Sequence, residues 1–281
     1  MYVVAGATGN TGKVVAEQLL AAGKEVRAWV RSAEKGAALA AAGAELAIVD
    51  LEDAASIRAG LEGAEAAYLM LPPAIAAEDY LALEKGRSER LLAAAVAAGV
   101  QHLVLLSSVG AQHDSGTGPI RACHELEVRA DAAGIPYAAV RPAYFMENWL
   151  GMVPVAAQDG VLPQMLGDAD RAVPMVATED IGRTAARALL ERATGVIELE
   201  GPQRLSPRDV AAVVAQRVGR EVAVVDVPFA AQEAQLTSFG FSADVAALFR
   251  EMNEGVAAGR VDFVGEPVRG QRTLAETLGG A

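Results

Sequence analysis

Lysine is scarce in this 281-residue chain: Lys13, Lys24, Lys35 and Lys85 are the whole set, and none follows residue 85. Cysteine is scarcer still. Cys123 stands alone, which excludes an intrachain disulfide framework and leaves no cysteine set for a structural zinc site. His102, His113 and His124 have no metal-ligand spacing, so no metal is expected. Aromatic residues are few at 5%, and alanine dominates an apolar fraction of 52%, which favours helices around an ample core. The longest apolar run, Leu91 to Val100, is too short to cross a bilayer. The first residues carry neither a basic segment nor a long apolar one, so the expectation is a cytoplasmic protein without a secretory leader. Positive charge is also in deficit. A net charge of −12 repels nucleic acid and anionic membrane and leaves small molecules as the expected partners, although a local basic pocket can still hold one phosphate. The sequence leaves open whether the chain forms a homodimer.

What is present is a regular alternation. Tyr2–Ala5, Val26–Val30, Leu46–Val49, Ala66–Leu71, His102–Leu106 and Tyr137–Val140 read as short apolar strands. Between them lie helical stretches at Val14–Leu20, Ala33–Ala42, Ala54–Leu61, Asp79–Ala98 and Ile120–Ala133, the last with Gly134 as its C-cap. Strands of this length between helices make βαβ units, hence an α/β fold with a doubly wound parallel sheet covered on both faces. The pattern loosens near residue 145. Met146–Ala157 reads as helix, Ala172–Val176 as strand, and Glu179–Glu191 as helix with Thr178 as N-cap. Val196–Leu199 reads as a late strand of the same sheet, Ser206-Pro207 as a helix start, Val222–Val227 as a strand, and the remainder as helix. The expected division is a dinucleotide-binding domain at 1–150 and a smaller, interleaved α/β lobe at 151–281, with 172–200 returning to the first sheet.

Gly6-Ala7-Thr8-Gly9-Asn10-Thr11-Gly12 lies between the first strand and the first helix. Small residues there permit a tight turn and let a pyrophosphate approach backbone N–H groups at a helix N-terminus. The strand before, the helix after and the position at the chain start favour a dinucleotide cofactor over a plain glycine turn. The second strand ends in Arg31, and no acid appears before Glu34. A guanidinium at that tip suits a 2′-phosphate, so NADP(H) is favoured over NAD(H), with a solvated loop arginine as the alternative. Asp50 can accept from an adenine amino group with Leu51 against the ring, or can cap the following helix. Leu71, Pro72 and Pro73 end the fourth strand where the cofactor would pass. Ser107 and Ser108 end the fifth, either near the nicotinamide or as ordinary polar strand ends.

The scarcity of lysine decides the next point. A short-chain dehydrogenase of the usual kind pairs a tyrosine acid with a lysine four residues on. No tyrosine here has one; Tyr80 and Lys85 are five apart. His124, on the helix Ile120–Ala133, is a candidate to donate a proton or hold a ribose, although a histidine beside two acids, Glu125 and Glu127, on an exposed helix is more often just solvated. Tyr144 is the next candidate donor.

The glycine loop, Arg31, Tyr68-Leu-Met-Leu-Pro-Pro73, Ser107-Ser-Val-Gly-Ala111, Gly134 to Pro142 with Tyr144-Phe-Met-Glu-Asn148, and Thr178-Glu-Asp-Ile-Gly182 together resemble the NmrA-like atypical short-chain dehydrogenases. The resemblance spans nearly the whole chain. It implies NADP(H) over the strand ends and a substrate between nicotinamide and second lobe, near Tyr144, Phe145 and Asn148. That family includes bacterial NAD(P)H:quinone oxidoreductases, isoflavone-reductase-like enzymes and cofactor-sensing regulators that do no chemistry. The isoflavone-reductase-like members keep a lysine on the helix that matches Ile120–Ala133, and this chain has none there. Two expectations follow: a reductase of quinone-like or other planar acceptors, or a non-catalytic NADP(H) sensor acting through a protein partner.

Overall fold

Apolar strands without alternation need cover on both faces, and the computed structural model, which describes residues 1–279, provides it. The first half runs β1 (Tyr2–Val4), α1 (Asn10–Ala21), β2 (Val26–Val30), α2 (Ala33–Ala41), β3 (Glu45–Ile48), α3 (Ala54–Leu61), β4 (Ala66–Leu69), α4 (Tyr80–Ala97), β5 (His102–Leu106), α5 (Arg121–Ala133) and β6 (Tyr137–Pro142). The second half runs β7 (Tyr144–Phe145), α6 (Val153–Asp159), β8 (Val161–Gln164), β9 (Val173–Val176), α7 (Thr178–Glu191) and β10 (Gly195–Glu200). It continues through β11 (Arg204–Leu205), α8 (Pro207–Val218), β12 (Ala223–Asp226), α9 (Phe229–Ser238), α10 (Ala243–Ala257), β13 (Val268–Arg269) and α11 (Leu274–Gly279).

Eight strands form one parallel sheet in the order β3-β2-β1-β4-β5-β6-β10-β13. Side chains alternate across it. Tyr2 and Val4 join Val15, Leu19, Ile181 and Leu189 under α1 and α7. Val3 and Ala5 join Ile57, Leu61, Leu91 and Leu126 under α3, α4 and α5. The fold is therefore the doubly wound α/β sheet that the alternation predicts. Strand order reverses between β1 and β4, and the crevice at that reversal, at the carboxyl ends of the strands, is where such sheets bind ligands.

The later residues build a second core from Met146, Trp149, Leu162, Met175, Val210, Val214 and Leu278. It lies beside a three-stranded sheet (β11-β9-β7) and a two-stranded one (β12-β8). Within 172–200 the chain does both things: β9 pairs with β7 and β11, while β10 pairs with β6 in the large sheet.

Three sequence expectations need correction. Met146–Ala157 is not one helix; Met146–Met152 is a 3-10 stretch, and α6 begins only at Val153 with Pro154 in its first turn. Thr178 is the first helical residue of α7, not its side-chain cap. The end of the chain is not all helix, because β13 extends the large sheet beside β10.

Candidate functional site

The glycine loop leaves β1 at its carboxyl end. Gly6 has φ +61, a backbone state that side-chain-bearing residues rarely adopt, and a Cβ there would press on Met70 Sδ at 3.1 Å. Gly12 has a different reason. A Cβ on it would meet Gly6 O at 2.3 Å, so its absence lets α1 sit tight against the loop. Gly182 does the same where α7 crosses α1, since a Cβ there would lie 2.5 Å from Val14 Cβ.

Gly9 takes the N-cap position of α1 with extended backbone and no side-chain cap. The N–H of Gly9 bonds Gly6 O, and that of Lys13 bonds Gly9 O. The N–H groups of Asn10, Thr11 and Gly12 bond no carbonyl, and Thr8, Gly9 and Asn10 are exposed. Open N–H groups, a helix dipole and space in front of Gly9 make an anion cradle. The Thr11 side chain is not part of it. Thr11 is buried and shares a 2.9 Å hydrogen bond with the Tyr68 hydroxyl, so only its backbone faces the loop.

The other candidates line up along the same sheet edge in the spatial order of their strands. Asp50 follows β3, Arg31 follows β2, Leu71, Pro72 and Pro73 follow β4, and Ser107 and Ser108 follow β5. Three strand spacings of about 4.8 Å separate β2 from β5, so Arg31 and Ser107 stand on the order of 14 Å apart along the edge. The Arg31 side chain is exposed, and its guanidinium is paired with none of the described residues. Asp50 is exposed, and its carboxylate accepts the Glu52 N–H at 2.9 Å. The cap of α3 is Asp53, which accepts from Ala55 N–H at 2.8 Å; the capping alternative for Asp50 therefore falls away. Leu51 is half-buried.

Ser107 and Ser108 have committed hydroxyls. Ser107 is buried and donates to Glu127, whose carboxylate also pairs with Arg141 through Nε at 2.9 Å. Ser108 donates to Val109 O at 3.0 Å. Glu127 is thus not a solvated acid. It faces inward one helical step from Leu126, on the side of α5 that also carries Ala122 and Ala130. It ties α5 to the ends of β5 and β6. Removing either ion of such a buried pair leaves the other unpaired and costs about 3–5 kcal/mol.

His124 is half-buried, and its Nδ1 lies 2.9 Å from Ala111 O. A carbonyl only accepts, so Nδ1 carries the hydrogen and neutral His124 presents Nε2 as an acceptor. That suits a ribose hydroxyl better than donation to a substrate. Tyr144 is half-buried with its ring 5.9 Å from that of Trp149, and Asn148 is exposed beside it. Burial pushes the Tyr144 phenol up to about 12, with Asn148 pulling the other way. Phe145 is half-buried against the core under α1.

Glu147, between these residues, escapes sequence reasoning. Its carboxylate accepts the Thr178 N–H at 2.9 and 3.1 Å and the Thr178 hydroxyl at 2.7 Å. It caps α7 from 31 residues upstream, and nothing in the local pattern around Thr178 signals that partner. A polar cavity of about 440 Å³ opens between α1 and α7, lined by Thr8, Gly9, Asn10, Glu147, Thr178 and Arg272 among others. Arg31, Asp50, Leu71 and Ser107 do not line it. The open sheet edge, not this cavity, joins the candidate residues.

Comparisons with known proteins fit this geometry. Residues 2–268 match the NmrA-like family. An NAD(P)H azoreductase of Xenophilus azovorans is 28% identical over 90% of this chain and 86% of its own length. Quinone oxidoreductase 2 of Escherichia coli is 27% identical over 99% of this chain and 97% of its own. The crystal structure of an Escherichia coli NADPH-dependent quinone oxidoreductase, complexed with NADPH, superposes with a TM-score of 0.82 at 27% identity, covering 99% of this chain and 98% of that one. With the doubly wound sheet and the glycine loop in place, a match over nearly the full length settles the assignment: the chain belongs to the NmrA-like family.

Proposed function

We propose that the chain is an NADP(H)-dependent oxidoreductase that reduces a quinone-like or other planar acceptor by direct hydride transfer. The observation that carries this reading is the uncapped N-terminus of α1 at the sheet's switch point, with free N–H groups behind exposed Thr8, Gly9 and Asn10. NADP(H), when bound, supplies the hydride. The chain's residues do the rest. The α1 N–H groups hold the pyrophosphate, Arg31 takes the 2′-phosphate, and Asp50 and Leu51 flank the adenine. Leu71, Pro72 and Pro73 would line the cofactor's path, and His124 Nε2 would accept from the nicotinamide ribose. The region 151–281 supplies most of the acceptor lobe, and Tyr144, Phe145 and Asn148 orient the acceptor.

Two further lines support the reading. The relatives above carry the names azoreductase and quinone oxidoreductase, and both acceptor types are conjugated and planar. Such acceptors spread the incoming charge over a π system and depend mainly on orientation and exclusion of water. A chain with no lysine after Lys85 has no Tyr-Lys acid to offer a simple carbonyl.

Cofactor choice tests the binding half. Replacing Arg31 by Ala removes a charge-assisted contact worth about 1.5–3 kcal/mol, or roughly one to two decades of NADPH affinity. Fluorescence titration should show that loss for NADPH and none for NADH; an equal loss for both assigns Arg31 a structural role.

A further inference from the structure

One ionic network on α4 reaches both loops that border the cofactor's proposed path. Asp50 and Leu51 follow β3, and Leu71, Pro72 and Pro73 follow β4, with β2 and β1 between those strands. Arg90 donates from Nε to Leu51 O at 2.7 Å and from Nη2 to Glu52 at 2.5 Å. Arg87 donates from Nε to the other oxygen of Glu52 at 2.6 Å and from Nη1 to Glu84 at 2.7 Å. The same Nη1 stands 3.5 Å from Pro72 O. Two arginines one turn apart thus meet on a single carboxylate, one holding the carbonyl of Leu51 and the other standing against that of Pro72.

The network is anchored inside. Glu84 is fully buried, on the face of α4 that also carries Ser88 and Leu91, and Arg87 is half-buried. Its bonds are therefore screened less by salt and water than those of an exposed pair. The loop after β3 also has bonds of its own: Asp50 N–H donates to Ser56 Oγ at 3.0 Å, and Glu52 N–H donates to Asp50 at 2.9 Å. Those bonds shape the turn, whereas the bonds from Arg87 and Arg90 fix it relative to α4. Gly86 makes room for this. Helix interiors disfavour glycine, yet Gly86 lies inside α4 one turn before Arg90, where a Cβ would stand 3.2 Å from Arg90 Nη1. Helical side chains lean toward the N-terminus, so the missing side chain clears the way for Arg90 to fold back toward Leu51. Arg129 of α5 offers a contrast. It pairs with Glu125 at 2.6 Å and with Glu89 of α4 at 2.9 Å, and so joins helix to helix.

We propose that Arg87 and Arg90, bridged by Glu52, are positioning residues for the adenine half of the dinucleotide, holding the Leu51 loop at a fixed distance from the Pro72 loop. This rests on the NADP(H) reading above. A slot set before the cofactor arrives does not have to be ordered on binding, so the network acts on affinity. It stands at the adenine end and takes no part in the hydride step. Its effect also differs from that of Arg31. The 2′-phosphate distinguishes NADPH from NADH, but both carry adenine, so loosening the slot weakens both.

Arg90→Met and Glu52→Gln test the assignment from the two sides of one bond, and either variant suffices if folded by circular dichroism. Arg129→Met controls for the loss of an ion pair on the same two helices. Calorimetric titration with NADPH, with NADH and with adenosine 2′,5′-bisphosphate, which carries the adenine half alone, should show each affinity weakened about two- to tenfold in Arg90→Met and Glu52→Gln, as for one lost hydrogen bond. The KM for NADPH should rise by the same factor, while kcat at saturating NADPH stays at the wild-type value. Arg129→Met should bind all three ligands as wild type does. Wild-type affinities in Arg90→Met and Glu52→Gln overturn the assignment. An equal loss in Arg129→Met also overturns it, because the effect is then a general loosening of the helices, and so does a loss confined to kcat. Wild-type protein that binds neither NADPH nor the bisphosphate overturns the cofactor reading together with this role; wild-type binding that both variants retain overturns the role of the network alone.

Discussion

Gly9 carries the cofactor reading at the scale of single residues. Its φ of −89° is open to any residue, and the nearest atom to a Cβ there is Gly6 O at 3.2 Å. Gly9→Val should therefore fold with a modest local adjustment and should lose NADPH, because the branched side chain fills the approach to the α1 N–H groups. Circular dichroism together with cofactor titration checks this; a folded variant with wild-type affinity places the pyrophosphate elsewhere. Gly12 makes the contrasting case, since its Cβ would strike Gly6 O at 2.3 Å and damage the fold itself. The loop was legible in the sequence because glycines at fixed spacing between a strand and a helix have few other uses. The direction of individual hydroxyls was not legible. Thr11 and Ser107 sit in motifs that suggest ligand contact, yet Tyr68 and Glu127, 57 and 20 residues away, draw their side chains inward.

Among the elements, α7 couples the two halves. It crosses α1 at Gly182, and its first turn receives Glu147 from the stretch that follows Tyr144 and Phe145. A carboxylate at a helix N-terminus satisfies open N–H groups and complements the dipole. Glu147→Ala should cost about 1–2 kcal/mol, the upper range for a lost cap. It should also raise KM for the acceptor more than it changes the NADPH dissociation constant, since it frees the segment that bears Tyr144 and Asn148. Urea unfolding and steady-state kinetics measure the two effects; a wild-type urea midpoint shows that the contact contributes nothing. The strands of the first half were legible because each is short, apolar and bounded by glycine or proline. The elements after residue 145 were harder for a physical reason. Met146–Met152 has helical composition, but Pro154 cannot donate an N–H, and the stretch before it tightens to 3-10 geometry. Val268–Arg269 is only two residues long and exposed, so it becomes a strand only because β10 presents an edge to it.

Taken as a whole, the molecule is an eight-stranded doubly wound sheet whose carboxyl edge carries the open N-terminus of α1, with the later elements building a second core. Among the described residues no helix is long and apolar enough to cross a membrane. With a net charge of −12, exposed Arg31 and the open N–H groups of α1 are local positive features in a field that otherwise repels anions. The central claim is that this edge passes hydride to planar, conjugated acceptors and handles simple carbonyls poorly. The most direct measurement is kcat/KM with NADPH for a panel that sets quinones and azo dyes against aldehydes and ketones of similar size. The account predicts a preference of about 10²-fold or more for the conjugated acceptors, the share a positioned strong acid would otherwise supply to a carbonyl. Comparable kcat/KM for simple aldehydes, unchanged in His124→Ala and Tyr144→Phe, would contradict it.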